Sequence, residues 1–506
     1  MNTTRHDLAS YWTATAPGPE YPRLPSDAEA DVAVVGGGIA GLSTARELAA
    51  AGLSVVLVEA DRIACGVTGH TTAKLTAQHG SIYAHLKDAF GIDAARDYAA
   101  AQTEAIAHVA ATADELGADC DFEMRPSFVY AESDEAVSGL NAEAEAAREA
   151  GLEASFTTET GLPFEVSGAV RIEHQAQFHP RRYLLAVAAD FIARGGRIFE
   201  HSRVVSVDSE GDRQRLTVES GAAVRCREAV IATHFPIVNR ARLFPRLTPK
   251  REFVVAAPIP EATDPGGMYV TAEQDTRSVR TAPYGAGERL LIVTGAAFTP
   301  GDANADRQLG KLAAWTANRF GTSDLAYRWA AQDNTTPDRV PYIGRMPGGD
   351  GLYVACGFGG WGMTNGVVAA RLITGLVTQA PPPWAARFDP ARFHPVKEAG
   401  PIAANSKTAV KHLVADRIGR APAHSPDELE PGQGAVIRVE GHLRAVYRDD
   451  DGDLHTRSAT CTHMGCVVGF NDAERTWECP CHGSRFDTDG AVLQGPATTP
   501  LRDESV

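Results

Sequence analysis

The sequence predicts a parallel α/β domain over most of the chain, followed by a small all-β domain at the C-terminal end. Residues 31–35 form an apolar run that ends in three glycines, residues 39–51 are rich in Ala and Leu, and residues 54–58 form a second apolar run. This strand–turn–helix–strand succession is typical of a parallel sheet covered by helices. Residues 435–440 and 444–448 read instead as two short neighbouring strands, which indicates a separate β domain.

Sequence patterns of the same kind predict the helices, strands and domain limits in the rest of the chain. Ala-rich patterns predict further helices, and short apolar runs predict further strands: helices 92–116, 136–150, 306–320 and 365–377; strands 204–207, 215–219, 229–231, 251–257 and 290–294. Residues 379–432 contain three consecutive prolines and six more further on, which predicts a linker over a surface and not a helix. We therefore divide the chain into an N-terminal segment (1–29), a main domain (30–378), the linker (379–432) and a small domain (433–506).

Composition and charge exclude several classes of function. The chain has 506 residues and a formal net charge of −16, which disfavours nucleic acid because phosphate binding needs a basic surface. No apolar run approaches the roughly 20 residues that a membrane-spanning helix requires, so we expect no membrane span. The first residues lead into no apolar core of the kind a secretory signal has, so the sequence predicts a cytoplasmic protein.

Gly36, Gly38 and Gly41 form a G-x-G-x-x-G pattern between a predicted strand and a predicted helix. The first glycine allows the tight turn, the second lets the backbone approach a pyrophosphate, and the third permits close packing of helix on strand. The helix begins at Ile39 and Ala40, where free N–H groups and a partial positive charge suit phosphates. Glu59 ends the next strand, where a carboxylate can accept hydrogen bonds from a ribose. The pattern predicts a dinucleotide site.

Several stretches over residues 30–378 resemble the D-amino-acid-oxidase-like flavoprotein family. The most specific are 335–344 (TTPDRVPYIG) and 355–364 (ACGFGGWGMT). The resemblance implies FAD as the cofactor, held by a Rossmann-type domain with an interleaved α+β substrate domain. No second G-x-G-x-x-G follows, which weighs against a separate NAD(P)H domain. Beyond the glycine motif, the resemblance implies cofactor contacts at these matching positions: Thr68, Gly69, Thr72, Val204, Gly357, Gly362, Met363 and Thr364.

Several positions distinguish the chain from particular members of that family. Ala331 stands where some members attach FAD through a cysteine, so that linkage is absent, whereas His70 lies near a histidine that others use, which leaves covalent attachment open. Thr76 and Thr364 stand where an arginine and a lysine anchor a substrate carboxylate, which disfavours a simple N-methyl amino acid. Residues 290–294 offer no charged counterpart of an oxygen-activating lysine, which favours another acceptor.

Two short motifs near the C-terminal end carry metal-ligand spacing. Cys461-x-His463 and Cys479-x-x-His482 each offer one thiolate and one imidazole. This pattern resembles Rieske domains, in which two cysteines hold one iron of a 2Fe–2S cluster and two histidines hold the other. A Cys₂His₂ zinc site is the alternative, although C-x-H spacing is unusual for zinc fingers.

The Rieske resemblance has further implications. It implies a disulfide between Cys466 and Cys481 that joins the two ligand loops. Ser484 matches a serine that bonds to a cluster sulfide in high-potential members, but Phe486 replaces their tyrosine. Since one stabilising hydrogen bond is then missing, we expect a potential below that of the respiratory type.

Together the motifs predict an FAD-dependent oxidoreductase that oxidises the C–N bond of an amine or amino-acid derivative. Its electrons would pass through the Rieske cluster to an external acceptor. The alternative is an electron-transfer protein that relays electrons between protein partners without a small substrate; a further alternative is a cluster that only stabilises the fold or senses redox state. Family position places four side chains at the reactive face of the flavin as candidate catalytic residues: Lys74, His79, Tyr284 and Trp361.

Overall fold

The G-x-G-x-x-G motif follows a central strand of an eight-stranded sheet. The computed structural model describes residues 9–238, 243–301, 304–395, 398, 400 and 425–503. The strands of this sheet are β1 (Ala28–Val35), β2 (Val55–Val58), β7 (Arg197–Phe199), β8 (Val204–Glu210), β9 (Arg213–Val218), β10 (Ala223–Ile231), β16 (Tyr342–Arg345) and β17 (Leu352–Cys356). Their order is β16–β17–β10–β1–β2–β7, parallel from β17 to β7, with β9 on β10 and β8 on β9.

Helices pack on both sheets of the main domain, and the last of them returns to the beginning of the domain. They are α1 (Tyr11–Thr15), α2 (Ile39–Ala50), α3 (Ile82–Phe90), α4 (Ile92–Leu116), α5 (Val137–Glu149), α6 (Pro180–Ala193), α7 (Ala305–Phe320) and α8 (Gly362–Val377). A Cβ at Gly366 would lie 2.7 Å from Ile39 Cγ2, so this glycine lets α8 approach the start of α2. Both helices therefore begin close together at the nucleotide-binding turn.

A second sheet of nine strands forms the other wall of the main domain. Its strands are β3 (Lys74–Leu75), β4 (Glu123–Ala131), β5 (Ala154–Thr157), β6 (Gly168–Gln177), β11 (Thr248–Pro260), β12 (Met268–Thr271), β13 (Arg277–Pro283), β14 (Glu288–Phe298) and β15 (Tyr327–Thr335). Their order is β15–β11–β14–β13–β12–β4–β6–β3, with β5 on β6. All pairs are antiparallel except β12 with β4. The main domain thus has the predicted interleaved arrangement.

The C-terminal domain consists of two small antiparallel sheets around its own core. One sheet contains β18 (Gly434–Val439), β19 (His442–Arg448) and β20 (Leu454–Ser458), and the other contains β21 (Gly469–Asn471), β22 (Thr476–Glu478), β23 (Arg485–Phe486) and β24 (Val492–Gln494). Trp477, Phe486 and all four cysteines of the motif region are buried in this core. The predicted all-β class is confirmed.

The predicted elements agree with the structure to within a few residues for most of the chain, and helix 92–116 agrees at both ends. Of the predicted linker 379–432, residues 396, 397, 399 and 401–424 lie outside the described residues, and Ala385–Phe388 is a turn of 3₁₀-helix. Within the part of the chain that the structure describes, no helix combines the length and the apolar character needed to cross a bilayer.

Candidate functional site: a nucleotide cavity beside a cysteine–histidine centre

The turn between β1 and α2 leaves no space for side chains. Gly36 has φ +107°, and a Cβ there would lie 2.5 Å from the Ala232 carbonyl oxygen. A Cβ at Gly41 would lie 1.8 Å from the Gly36 carbonyl oxygen. Gly36 therefore provides the tight turn and Gly41 the close packing, as the motif predicts, and the N–H groups at the start of α2 lie at the cavity.

Two side chains hold this turn in place. Glu59 Oε2 accepts a hydrogen bond from Gly37 N at 2.6 Å, and Glu59 Oε1 accepts one from Asp61 N at 2.9 Å. Thr68 Oγ1 accepts a hydrogen bond from Ile39 N at 3.0 Å. A carboxylate and a hydroxyl thus lie where a nucleotide's ribose and phosphates would be recognised.

A cavity of about 850 Å³ extends from this turn to the nine-stranded sheet. The cofactor contacts predicted above line it, except Gly41, Gly69 and Thr364. Gly69 is instead a packing position, since a Cβ there would lie 2.7 Å from the Ala64 carbonyl oxygen. Thr364 is buried and its Oγ1 donates to the Thr76 carbonyl oxygen at 2.9 Å. An elongated dinucleotide fits the size and the glycine-rich lining of the cavity.

The four candidate catalytic residues have different surroundings. Lys74, His79 and Trp361 line the cavity, whereas Tyr284 does not and packs 6.1 Å from the Tyr11 ring. Both nitrogens of His79 are occupied: Nδ1 accepts from the Tyr98 hydroxyl at 2.6 Å, and Nε2 donates to the Thr76 carbonyl oxygen at 2.7 Å. Burial lowers the pKa of His79 to about 3. His79 therefore supports the Trp361 ring, on which it stacks at 4.7 Å, and offers no free lone pair.

The structure brings the four predicted metal ligands together in the small domain. The side chains of Cys461 and Cys479 are close neighbours, and their interaction lowers the pKa of the Cys461 thiol and raises that of the Cys479 thiol. The rings of His463 and His482 lie 4.9 Å apart and nearly perpendicular. Each ligand loop therefore presents one sulfur and one imidazole to the same place.

The neighbours of these ligands agree with the predicted loop pairing. Cys466 and Cys481 form the expected disulfide, with an S–S distance of 2.04 Å. The Ser484 hydroxyl accepts from Ala497 N at 3.0 Å and also hydrogen bonds to the Cys461 side chain. Phe486 is fully buried and supplies no hydroxyl. The lower potential expected from this residue stays a prediction.

The ring nitrogens of the two histidines are available to bind a metal cluster. Neither nitrogen of His463, nor Nδ1 of His482, has a hydrogen-bond partner among the described residues, although these atoms are buried. Burial lowers the pKa of His463 to about 3 and that of His482 to about 4, so both rings are neutral at pH 7. Neutral imidazole is the form that binds iron. Two thiols and two unpartnered imidazoles fit the Rieske ligand set.

The histidine side of this centre faces the main domain. The Phe244 ring lies 4.7 Å from the His463 ring, and the Phe235 ring lies 5.4 Å from the His482 ring. Gln332 on β15 donates from Nε2 to the carbonyl oxygen of Gly483, the residue after His482, at 3.0 Å. The cavity is completed by residues of the small domain: Arg485, Leu493, Gln494, Gly495, Ala497 and Thr498.

A buried ionic cluster joins the two domains beside the cavity. Arg251 on β11 is 1% exposed and forms ion pairs with Glu474 (2.6 Å) and with Glu478, which is fully buried. Arg485 pairs with the same two carboxylates at 2.9 and 3.2 Å. Although burial raises it, the charges of Arg251 and Arg485 lower the pKa of Glu474 to about 2. We call these four residues the interdomain ionic cluster.

The interdomain residues have no recognisable pattern in the sequence. Phe235, Phe244 and Gln332 belong to no motif, and their roles arise only from the contact between distant parts of the chain. Arg251 begins the predicted strand 251–257 beside a second charged residue, Glu252, so its charge does not distinguish it.

Comparisons with known proteins agree with this geometry. Residues 31–376 match the family model "FAD dependent oxidoreductase", and residues 420–503 match "Rieske [2Fe-2S] domain". A putative Rieske 2Fe-2S iron-sulfur protein, YhfW of Bacillus subtilis, is 35% identical over 97% of both chains. The γ-glutamylputrescine oxidoreductase of Escherichia coli is 25% identical over 74% of this chain and 89% of its own.

Solved structures share the fold of the main domain. The crystal structure of glycine oxidase from Geobacillus kaustophilus superposes with a TM-score of 0.60 and 21% identity, over 72% of this chain and all of that one. The Rieske match also decides against the zinc alternative. The chain therefore belongs to the FAD dependent oxidoreductase family and carries a Rieske domain, so that its cofactors are FAD and a 2Fe–2S cluster.

Proposed function

We propose that this protein couples oxidation of a C–N bond on FAD, in an amine or amino-acid derivative, to one-electron reduction of an external acceptor through its own Rieske cluster. FAD exchanges two electrons with an organic substrate, and a Rieske cluster exchanges one at a time. The cytoplasm, predicted from the sequence, is the proposed compartment.

The observation that carries this proposal is the direction in which the cluster ligands face. The His463 and His482 rings lie against Phe244 and Phe235 of the FAD-containing domain. The same cavity is lined by Arg485 and Gln494 of the Rieske domain. An electron leaving the cavity through this contact would cross aromatic and backbone groups of one polypeptide, without a diffusing carrier.

The position of Ala331 supports the same route. By family resemblance it stands where the flavin ring is attached in some members, so the benzenoid edge of the flavin is expected near it. The next residue, Gln332, donates the hydrogen bond to Gly483 O beside His482. The expected ring edge and the cluster loop would then lie beside two consecutive residues of β15, whose side chains point to opposite faces of the strand.

Residues of both domains form walls of the cavity. The buried His79 stacks on the half-buried Trp361 to form one wall, and residues of the Rieske domain form another. Exclusion of water protects a reduced flavin and an imine product from side reactions. The resemblance to amine and amino-acid oxidising flavoproteins supports the substrate class.

Anaerobic titration of the purified holoprotein with candidate amines and amino acids tests the proposal. We expect a substrate to bleach the flavin absorbance and then to produce the electron paramagnetic resonance signal of a reduced Rieske cluster. A matched variant, His482→Ala, removes one ligand; we expect it to retain flavin bleaching and to lose the cluster signal.

Two outcomes would contradict the proposal. If the flavin is bleached but the cluster of the wild-type protein never becomes reduced, the internal route is wrong. If no amine or amino acid reduces the flavin, while a reduced protein partner reduces flavin and cluster together, the chain is the electron-relay protein that the sequence left as an alternative.

A further inference from the structure

One buried cation lines the cavity without an acidic partner. Lys74 is 6% exposed, and its Nζ donates to the Ser278 hydroxyl and, at 3.5 Å, to the Thr72 hydroxyl. Among the described residues no carboxylate lies within ion-pairing distance of it. Charged groups that are buried normally have a counterion, since the cost of removing a charge from water is several kcal/mol.

A second buried cation lies directly behind the first. Arg280 on β13 is 2% exposed, and its guanidinium donates to the carbonyl oxygens of Ala73 at 2.7 Å and Thr72 at 3.2 Å. Its other flank faces the Trp12 ring, at 5.3 Å from the centroid. The described residues place no carboxylate against this guanidinium either, so two positive groups flank the backbone at 72–74.

The nearest acidic side chains are already neutralised. Glu252 on β11, whose charge acts on Lys74, forms an ion pair with Lys250 at 2.7 Å. Glu123 on β4, whose charge acts on Arg280, forms an ion pair with Arg289 at 2.7 Å. Lys74 and Arg280 therefore have no ion-pair partner among the described residues, although the carboxylates of Glu252 and Glu273 also line the cavity.

The surroundings of Lys74 suit an anion with several oxygen atoms. Hydroxyl groups line the wall of the cavity near it: Thr72, Thr271, Thr276, Ser278 and Thr294. Hydroxyls can donate to carboxylate oxygens. By contrast, Thr76 and Thr364 hydrogen bond to each other, are at most 1% exposed, and do not line the cavity.

We propose that Lys74, with Arg280 behind it, forms an anion subsite that binds the carboxylate of the substrate, so that the substrate is a carboxylated amine and not a plain polyamine. This inference rests on the proposed function, because it concerns the substrate of the same cavity. Lys74 is thus a binding residue that determines specificity. The ammonium of the ligand would face away from it, towards the flavin side of the cavity.

Binding at this subsite is coupled to a proton. Burial, and then the charge of Arg280, lower the pKa of Lys74 to about 7, while Glu252 opposes the shift. An anion binds the protonated lysine, so its affinity should be constant below pH 7 and weaken by about tenfold per pH unit above it. An arginine at this position stays charged throughout, so this pH dependence should disappear.

The experiment measures binding to the oxidised holoprotein, where no electrons flow. Benzoate serves as the unreactive carboxylate and benzamide as its uncharged control, and both are titrated by the change in flavin absorbance. Lys74→Met should weaken the binding of benzoate by about ten- to a hundredfold, which is the range expected for one charge-assisted hydrogen bond. The same substitution should leave the affinity for benzamide unchanged. Lys74→Arg should retain benzoate binding at pH 7 and remove its pH dependence.

Four results would overturn the subsite. The first is that the wild-type protein does not bind benzoate, and the second is that Lys74→Met binds it as tightly as the wild type does. The third is that Lys74→Met loses as much affinity for benzamide as for benzoate. The fourth is that the substitution shifts the flavin potential and leaves the benzoate affinity unchanged. The last result would mean that the positive charge of Lys74 stabilises the reduced flavin and does not bind the carboxylate. FAD content of each variant shows whether the fold is intact. Failure of the proposed function would appear separately, as a cluster that the flavin cannot reduce.

Discussion

At the residue scale, the nucleotide-binding turn depends on the absence of a single methyl group. The atom nearest to a Cβ placed at Gly41 is a backbone carbonyl oxygen, which cannot rotate away as a side chain could. Gly139, within α5, is the opposite case, because a Cβ there would meet nothing within 4 Å. The two glycines therefore allow a matched comparison of the same substitution.

We expect Gly41→Ala to lose FAD and to lower the free energy of unfolding by about 1–3 kcal/mol, because α2 must move away from β1. Gly139→Ala should keep its FAD and gain up to about 1 kcal/mol from helix propensity. Flavin absorbance per protein and thermal unfolding measure both effects. Wild-type FAD content in Gly41→Ala would show that the turn tolerates the displacement.

At the scale of elements, β11 joins the two domains through one side chain. Arg251 is the buried cation between Glu474 and Glu478, and without it the only ion-pair partner that the described residues offer these two carboxylates is Arg485. Breaking a buried ion pair is much more costly than breaking an exposed one.

We expect Arg251→Met to destabilise the docked Rieske domain by about 3–5 kcal/mol, since it leaves buried negative charge unpaired. Arg96→Met removes an exposed pair with Asp93 and should change stability by less than about 1 kcal/mol. Chemical denaturation monitored at the cluster absorbance gives both values. Equal effects of the two substitutions would mean that the interdomain ionic cluster adds no stability.

The elements that the sequence predicts well are those whose pattern is local. Helix α4 has one long Ala-rich pattern between Gly91 and Gly117, and the predicted ends are the residues observed. Strand β6 is not predicted, since Arg171, Glu173 and His174 interrupt its apolar pattern and neighbouring strands stabilise it.

The same difference between local patterns and long-range contacts applies to the functional site. The proposed cluster ligands lie within a short stretch of sequence, where their spacing resembles that of Rieske domains. The interdomain contacts could not, because Arg251 and Glu478 are 227 residues apart and Gln332 and Gly483 are 151 residues apart. No spacing rule covers such distances; they depend on how two domains dock.

For the whole molecule, the docking of the two domains depends on two facing glycines. Gly301 of the main domain and Gly469 of the Rieske domain approach so closely that a Cβ at Gly469 would lie 2.2 Å from the Gly301 carbonyl oxygen. Gly469 lies at the start of β21, between the two ligand motifs in sequence. A methyl group there should push the domains apart and leave each domain's own core unchanged.

We therefore expect Gly469→Ala to slow reduction of the cluster by the flavin severalfold, because electron transfer weakens steeply as the separation of donor and acceptor grows. Photochemical reduction of the flavin, followed by the time course of the cluster absorbance, measures this step. Leu454→Ala, at a side chain 40% exposed on the same domain, is the control and should keep the wild-type rate. An unchanged rate in Gly469→Ala, with its FAD and cluster content intact, would mean that the electron does not cross the docked interface seen between Phe235 and His482.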